Sequence, residues 1–181
     1  MEESEILKQR KAKVKDLRQM GVQLFPNAFR VSHISRDIIQ RYGDWSAQDL
    51  QGLEEDLSCA GRLMAIRDFG RAAFVQLQDR TGRIQVYVRQ DLVGEESFGL
   101  FKRLDVGDFL GVRGRLFKTK TGELTIEASF IQLLAKAYRP LPEKWHGLTD
   151  VETRYRQRYL DLIVNPTVRD TFYKRNEIIQ A

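Results

Sequence analysis

From about Leu57 onward, apolar and polar residues alternate with a period of two, in short runs punctuated by Gly and Asp; such a pattern builds half-buried strands. Ala72 to Asp79 sets Ala73, Val75 and Leu77 on one side and Phe74, Gln76 and Gln78 on the other. Asp79-Arg80-Thr81-Gly82 then supplies a turn. Arg83 to Val88 repeats the scheme, with Ile84, Val86 and Val88 inward and Arg83, Gln85 and Tyr87 outward, so the two runs form a hairpin. A helical run from Ser97 to Leu104, with Phe98, Phe101 and Leu104 three apart, interrupts the strands. They resume over Asp108 to Lys118, where Leu110, Val112, Gly114 and Leu116 face inward and Arg113, Arg115 and Phe117 outward. After Thr121-Gly122, Leu124, Ile126 and Ala128 point in while Glu123, Thr125 and Glu127 point out. An earlier strand, Leu57 to Arg67, has mixed parities on both faces, and Gly61 is expected to mark its bend or bulge.

Three strands, a helix and two more strands within about 80 residues is the order of a five-stranded OB barrel. The fold class is therefore mainly β with flanking helices. A helical arm occupies residues 1–55, the barrel 56–135, a linker 136–149 and a helical stub 150–181. In the arm, Gly21 stops a first helix, and Ser35 is expected to cap a short helix over Asp37 to Tyr42 that Gly43 ends. Arg139-Pro140-Leu141-Pro142 stiffens the connector. Thr149 and Glu152 form a capping box for a helix to Val164, and Asn165-Pro166 opens another that is still helix-forming at Ala181.

Charge is concentrated in the arm. Lys8, Arg10, Lys11, Lys13, Lys15 and Arg18 face only Asp16, enough to account for the whole formal charge of +5. Lys8, Lys11, Lys15 and Arg18 share one side of a helix, either a solvated face or a phosphate-contacting stripe. Nothing resembles a membrane span or a basic-then-apolar leader, since the chain begins Met1-Glu2-Glu3-Ser4-Glu5, which points to a cytoplasmic protein. A single cysteine, Cys59, with His33 and His146, makes neither a disulfide nor a metal cluster, so no metal is expected. Phosphate-loop, dinucleotide and hydrolase motifs do not occur, and Glu54-Glu55 and Glu95-Glu96 read as solvated charges. A catalytic site is not expected in these residues.

What the outward faces do hold suits single-stranded nucleic acid: an aromatic ring to stack on, amides to read base edges and guanidinium groups for phosphates. Phe74, Gln76, Gln78 and Gln85 lie on adjacent strands, although Phe74 is equally placed to be covered by the Ser97–Leu104 helix. Gln85 and Glu123 read either as ordinary solvent-facing residues or, for the carboxylate, as an acceptor for a base amino or imino group. Lys118 and Lys120 sit at a hairpin tip that is either soluble decoration or a phosphate contact.

Arg67-Asp68-Phe69-Gly70, Phe74-Val75-Gln76-Leu77-Gln78-Asp79, Gly82-Arg83-Ile84-Gln85 and Lys118-Thr119-Lys120-Thr121-Gly122-Glu123-Leu124 resemble the N-terminal anticodon-binding domain of bacterial class II lysyl-tRNA synthetases. The resemblance continues through Arg139-Pro140-Leu141-Pro142, His146-Gly147-Leu148 and Arg154-Tyr155-Arg156-Gln157-Arg158-Tyr159-Leu160-Asp161-Leu162 towards the catalytic domain, and Thr167 to Ala181 resembles part of its class II motif 1 helix. Tyr159-Leu160-Asp161-Leu162 is shared with aspartyl and asparaginyl enzymes, which stay as alternatives beside a general single-strand-binding module and a protein-interaction module. The resemblance implies that Phe74 stacks on the central anticodon uridine, that Arg67 and Gln85 hydrogen-bond to its edge, and that Glu123 contacts a neighbouring base. It also implies that the basic helix holds the stem and that the partner is the anticodon stem-loop of lysine tRNA. For the full-length family it implies lysine activation with ATP and Mg and a homodimer; for this stretch it implies binding without catalysis and no cofactor.

Overall fold

The computed structural model describes residues 4–53, 55–142 and 148–181. Met1 to Glu3, Glu54, and the His146-Gly147 pair read in the linker lie outside the described residues. Two compact units are present, residues 1–139 and 140–181.

In the first unit, β1 (Leu57–Asp68), β2 (Ala72–Gln78), β3 (Arg83–Arg89), β4 (Phe109–Lys118) and β5 (Leu124–Ala135) close into a barrel in the order β1-β2-β3-β5-β4. The β3–β5 pair is parallel and the others antiparallel. Alternation in β2 and β3 carries straight into burial: Ala73, Val75, Leu77, Ile84, Val86 and Val88 are at most 5% exposed. Each such Val, Leu or Ile contributes about 1.5–3 kcal/mol by leaving water, which is what closes the sheet on itself. Thr125 departs from the expected pattern. It faces outward yet is fully buried, because neighbouring side chains close over it.

The bend in β1 has a different origin from the one expected. The register shift falls between Leu63 and Ala65, so Met64 is the extra residue. Gly61 serves a close approach instead: a Cβ there would lie 2.8 Å from the Gln78 carbonyl oxygen. At this point β1 changes partner, pairing with β4 up to Arg62 and with β2 from Arg62 to Asp68.

Between β3 and β4 the chain forms two helices where one run was expected, α4 (Gln90–Val93) and α5 (Glu95–Phe101). Gly94, at φ +85, separates them, and Leu104 reaches the core from beyond the helix end. The preceding helices are α1 (Glu5–Gln19), α2 (Ser35–Tyr42) and α3 (Ala47–Gln51), the last not anticipated. Ser35 does not cap α2; Ile34 is the cap residue. The Ser35 backbone N–H and hydroxyl both donate to the Asp79 carboxylate, at 2.6 and 2.7 Å, tying α2 to the β2–β3 turn. Thr81 and Gly82 donate to the same carboxylate from within the turn.

Buried charge docks α1. Arg10, read as part of a cationic arm, is 7% exposed and donates to the carbonyls of Val106, Ala137 and Arg139. Lys13 pairs with Asp105 at 2.5 Å. Lys136, just beyond β5, pairs with Asp105 at 2.6 Å and Asp108 at 2.7 Å, with the Lys136 and Asp108 side chains both fully buried. Arg10 and Lys13 therefore hold the helix down, and Val14 and Leu17 supply its apolar contact.

Acid should loosen this unit in a defined direction. Burial pushes the Asp79 and Asp105 carboxyls up, but hydrogen bonds from Ser35 and Thr81 to the first, and from Lys13 and Lys136 to the second, hold both below the ordinary value. A carboxyl depressed on folding adds stability above its unfolded value of about 3.9 and loses it as pH falls through the folded one. Urea midpoints should be flat from neutral pH down to about pH 5 and fall below about pH 4, less steeply in Asp79→Asn. A midpoint unchanged down to about pH 3 would contradict this.

The second unit contains α6 (Val151–Arg156), α7 (Arg158–Val164) and α8 (Pro166–Gln180). Asp150, not Thr149, caps α6, accepting from the Thr153 N–H at 2.6 Å. The helix expected to reach Val164 breaks at Gln157 (φ −119, ψ 54). That break accompanies convergence on the buried Asp161 carboxylate, which accepts from Arg154 at 3.1 Å, from Asn165 at 2.6 Å and from Arg158. No described helix is long and apolar enough to cross a membrane.

Candidate nucleic-acid interface

Strand register brings the outward side chains of the barrel into two rows. Arg67 lies opposite Phe74, Phe74 opposite Tyr87 and Tyr87 opposite Glu127. Beside this row run Gln76, Gln85, Thr125 and Phe117, each opposite the next. All five strands thus contribute to one surface.

Aromatic rings form its spine. Phe74 stacks on Tyr87 with centroids 4.4 Å apart and planes 19° from parallel. Tyr87 meets Phe117 at 6.0 Å, and Phe69 stands edge-on to Phe74 at 6.2 Å and 85°. One face of Phe74 is taken by Tyr87, so a planar ligand that extends the stack uses the other. Phe69, in edge contact with the same ring, is 67% exposed. Aromatic clusters of this kind can stack on bases, and base–aromatic stacking is worth about 1–3 kcal/mol per base.

Next to the rings is a short hydrogen-bond relay. The Thr125 hydroxyl donates to Gln85 Oε1 at 2.8 Å, and Gln85 Nε2 donates to Glu123 Oε2 at 2.7 Å. An amide has two acceptor sites on its oxygen and two N–H groups, so Gln85 keeps one of each for a ligand edge. Other carboxylates here are occupied by cations. Lys102 grips Asp68 at 2.5 and 2.6 Å, and that hydrogen bond holds the Asp68 carboxyl below its ordinary value; Arg89 bridges Glu127 and Asp91.

Arg67 is exposed at the β1 end of the first row. Lys118 and Lys120 stand at the β4–β5 hairpin, whose turn is closed by the Thr119 N–H to the Glu123 carbonyl at 3.0 Å and by Gly122 at φ +84. The structure brings Arg67, Phe74, Gln85 and Glu123 onto one face. Lys8, Lys11, Lys15 and Arg18 are exposed along α1, with Lys8 3.7 Å from Glu5. Sequence reasoning did not single out Tyr87, Phe117, Phe69 or Thr125 as parts of this surface. The first two were visible as aromatics at outward parity, two residues from Gln85 and six from Glu123. Among the described residues no group of three His, Cys, Asp or Glu is placed to hold a metal ion.

Comparison with known proteins agrees with this geometry. The tRNA anti-codon family, described as an OB-fold nucleic acid binding domain, matches residues 57–134. The lysine–tRNA ligase of Anaeromyxobacter sp. (strain K) is 50% identical over 179 residues, 99% of this chain and 35% of its own length. That of Thiobacillus denitrificans is 50% identical over 181 residues, 100% of this chain and 36% of its own. That of Bacillus subtilis (strain 168) is 48% identical over 175 residues, 97% of this chain and 35% of its own. The chain spans about a third of the length of these relatives. Residues 57–134 thus match, in barrel and in sequence, an OB-fold nucleic acid binding domain of the tRNA anti-codon family, and the whole chain is similar to about a third of each of these lysine–tRNA ligases.

Proposed function

We propose that the outer face of β1, β2 and β3, with the β4–β5 hairpin, binds the anticodon loop of lysine tRNA. Phe74 stacks on the central anticodon base, Arg67 and Gln85 bond to its edge, and Glu123 contacts a neighbouring base. Lys118, Lys120 and the exposed cations of α1 contact backbone phosphates. The observation that carries this reading is the Phe74 ring, seated on Tyr87 with its other face directed away from that stack, beside an amide with a donor and an acceptor to spare. For the longer protein we propose the attachment of lysine to tRNA using ATP and Mg, as a cytoplasmic homodimer, with this chain contributing RNA binding.

The test is binding of anticodon stem-loops that differ only in the three anticodon bases, titrated across salt concentrations. The lysine stem-loop should bind tightest; binding indifferent to the anticodon would make the domain a general single-strand binder and overturn the reading. Changing Lys8, Lys11, Lys15 and Arg18 together to Gln should weaken all stem-loops about equally and flatten the salt dependence, by about 0.9 in log–log slope for each duplex phosphate no longer neutralised. Weakening confined to the lysine stem-loop would instead place base readout on α1.

A further inference from the structure

We infer that Glu123 fixes which way the Gln85 amide faces, and through it decides whether uracil or cytosine is accepted beside Phe74. This rests on the proposed anticodon binding and assigns Glu123 a positioning role distinct from any contact of its own with a base.

The inference follows from which groups can only accept. Gln85 is held at both ends of its amide, by the Thr125 hydroxyl at Oε1 and by the Glu123 carboxylate at Nε2. A hydroxyl both donates and accepts. Thr125 Oγ1 also lies 3.1 Å from the Glu123 carbonyl oxygen. Were the amide reversed, Thr125 would accept from Nε2 and give its proton to that carbonyl, so Thr125 tolerates either direction. The ionised carboxylate does not, because reversal would set Oε1 against a carboxylate oxygen with no proton between them. Glu123 alone therefore selects the direction.

Direction matters because pyrimidines differ by an exchange of donor and acceptor. Uracil presents an N3–H donor beside an O4 acceptor; cytosine presents an N3 acceptor beside an N4–H donor. An amide fixed in plane pairs with one pattern and opposes the other, whereas an amide free to reverse pairs with both. A bidentate contact of this kind carries most base discrimination. Thr125 is fully buried and the relay sits on paired strands, so the amide's plane is fixed by the sheet while its direction is left to one exposed side chain.

The experiment uses the whole chain and lysine anticodon stem-loops carrying U or C at the central position, with binding read by fluorescence anisotropy. Wild type should prefer U by about tenfold or more. In Glu123→Gln a second amide replaces the carboxylate and pairs with Gln85 in either direction, so the preference should fall to about twofold or less while binding persists. In a Gln85→Ala background, Glu123→Gln should leave the U-to-C ratio unchanged, because nothing remains for it to orient. The inference is overturned if Glu123→Gln keeps the central U-to-C ratio and alters only the neighbouring base preference, or if it lowers that ratio equally without Gln85. Wild type showing no base preference would overturn the underlying anticodon proposal as well, and that result is visible before any variant is made.

Discussion

Lys136→Ala lowers the unfolding free energy by about 3–5 kcal/mol, the usual cost of leaving a buried charge without its partner. Lys136 and Asp108 are each fully buried, 2.7 Å apart, and Lys136 also holds Asp105 at 2.6 Å. Asp108 accepts two further hydrogen bonds, from the N–H groups of Asp105 and Ala137, both at 2.7 Å. These backbone donors orient the carboxylate but carry no full charge to balance it. With Lys136 gone, Lys13 still pairs with Asp105, while the buried Asp108 keeps only the longer-range attraction of Arg62. A loss of this size is a large share of a typical total of about 5–15 kcal/mol. Lys13→Ala is the control: its side chain is 36% exposed, so the pair is screened by water and its removal should cost about 1 kcal/mol or less. Urea unfolding measures both, since guanidinium would itself screen the ion pairs. A Lys136→Ala midpoint within experimental scatter of wild type would refute this role for the buried pair.

The contrast between these lysines shows where sequence reasoning stops. Period-two patterning placed the strand interiors correctly because burial of alternate residues is the force that closes the barrel, and Ala73, Val75 and Leu77 obey it without exception. Charge patterning had no such guide. Arg10 and Lys13 read only as members of a cationic arm, since their partners, at Val106, Asp105 and Ala137, are about 90 or more residues away in sequence. Ser35 misled for a related reason: it has the chemistry of a helix cap, yet Asp79, 44 residues on, accepts from both its N–H and its hydroxyl. The candidate site was legible as a set of outward side chains and not as an arrangement. Tyr87 under Phe74, and Thr125 behind Gln85, depend on registers between β2, β3 and β5 that no local pattern states, one of them the parallel pair.

Phe74→Ala should weaken binding to the lysine anticodon stem-loop by about 1–3 kcal/mol, the worth of one base–aromatic stack, and should leave the barrel folded. Its neighbours in sequence, Ala73 and Val75, fill the interior, while Phe74 lies on the outer face, only partly buried. A core phenylalanine cut to alanine would cost about 3–5 kcal/mol of stability by opening a cavity. Truncation here removes no interior volume. It does remove the ring stacked on Tyr87 at 4.4 Å, and such stacks contribute about 0.5–1.5 kcal/mol, so a small drop in melting temperature accompanies the weaker binding. Exposing Tyr87 gives the base a second ring to stack on, one strand further from Arg67, so some stacking survives but out of line with Arg67. Discrimination among central bases should therefore fall further than affinity does. Measured side by side, melting temperature, affinity and the central-base ratio separate the alternatives. A sharp fall in melting temperature would make Phe74 a core residue, and unchanged affinity would remove it from the interface.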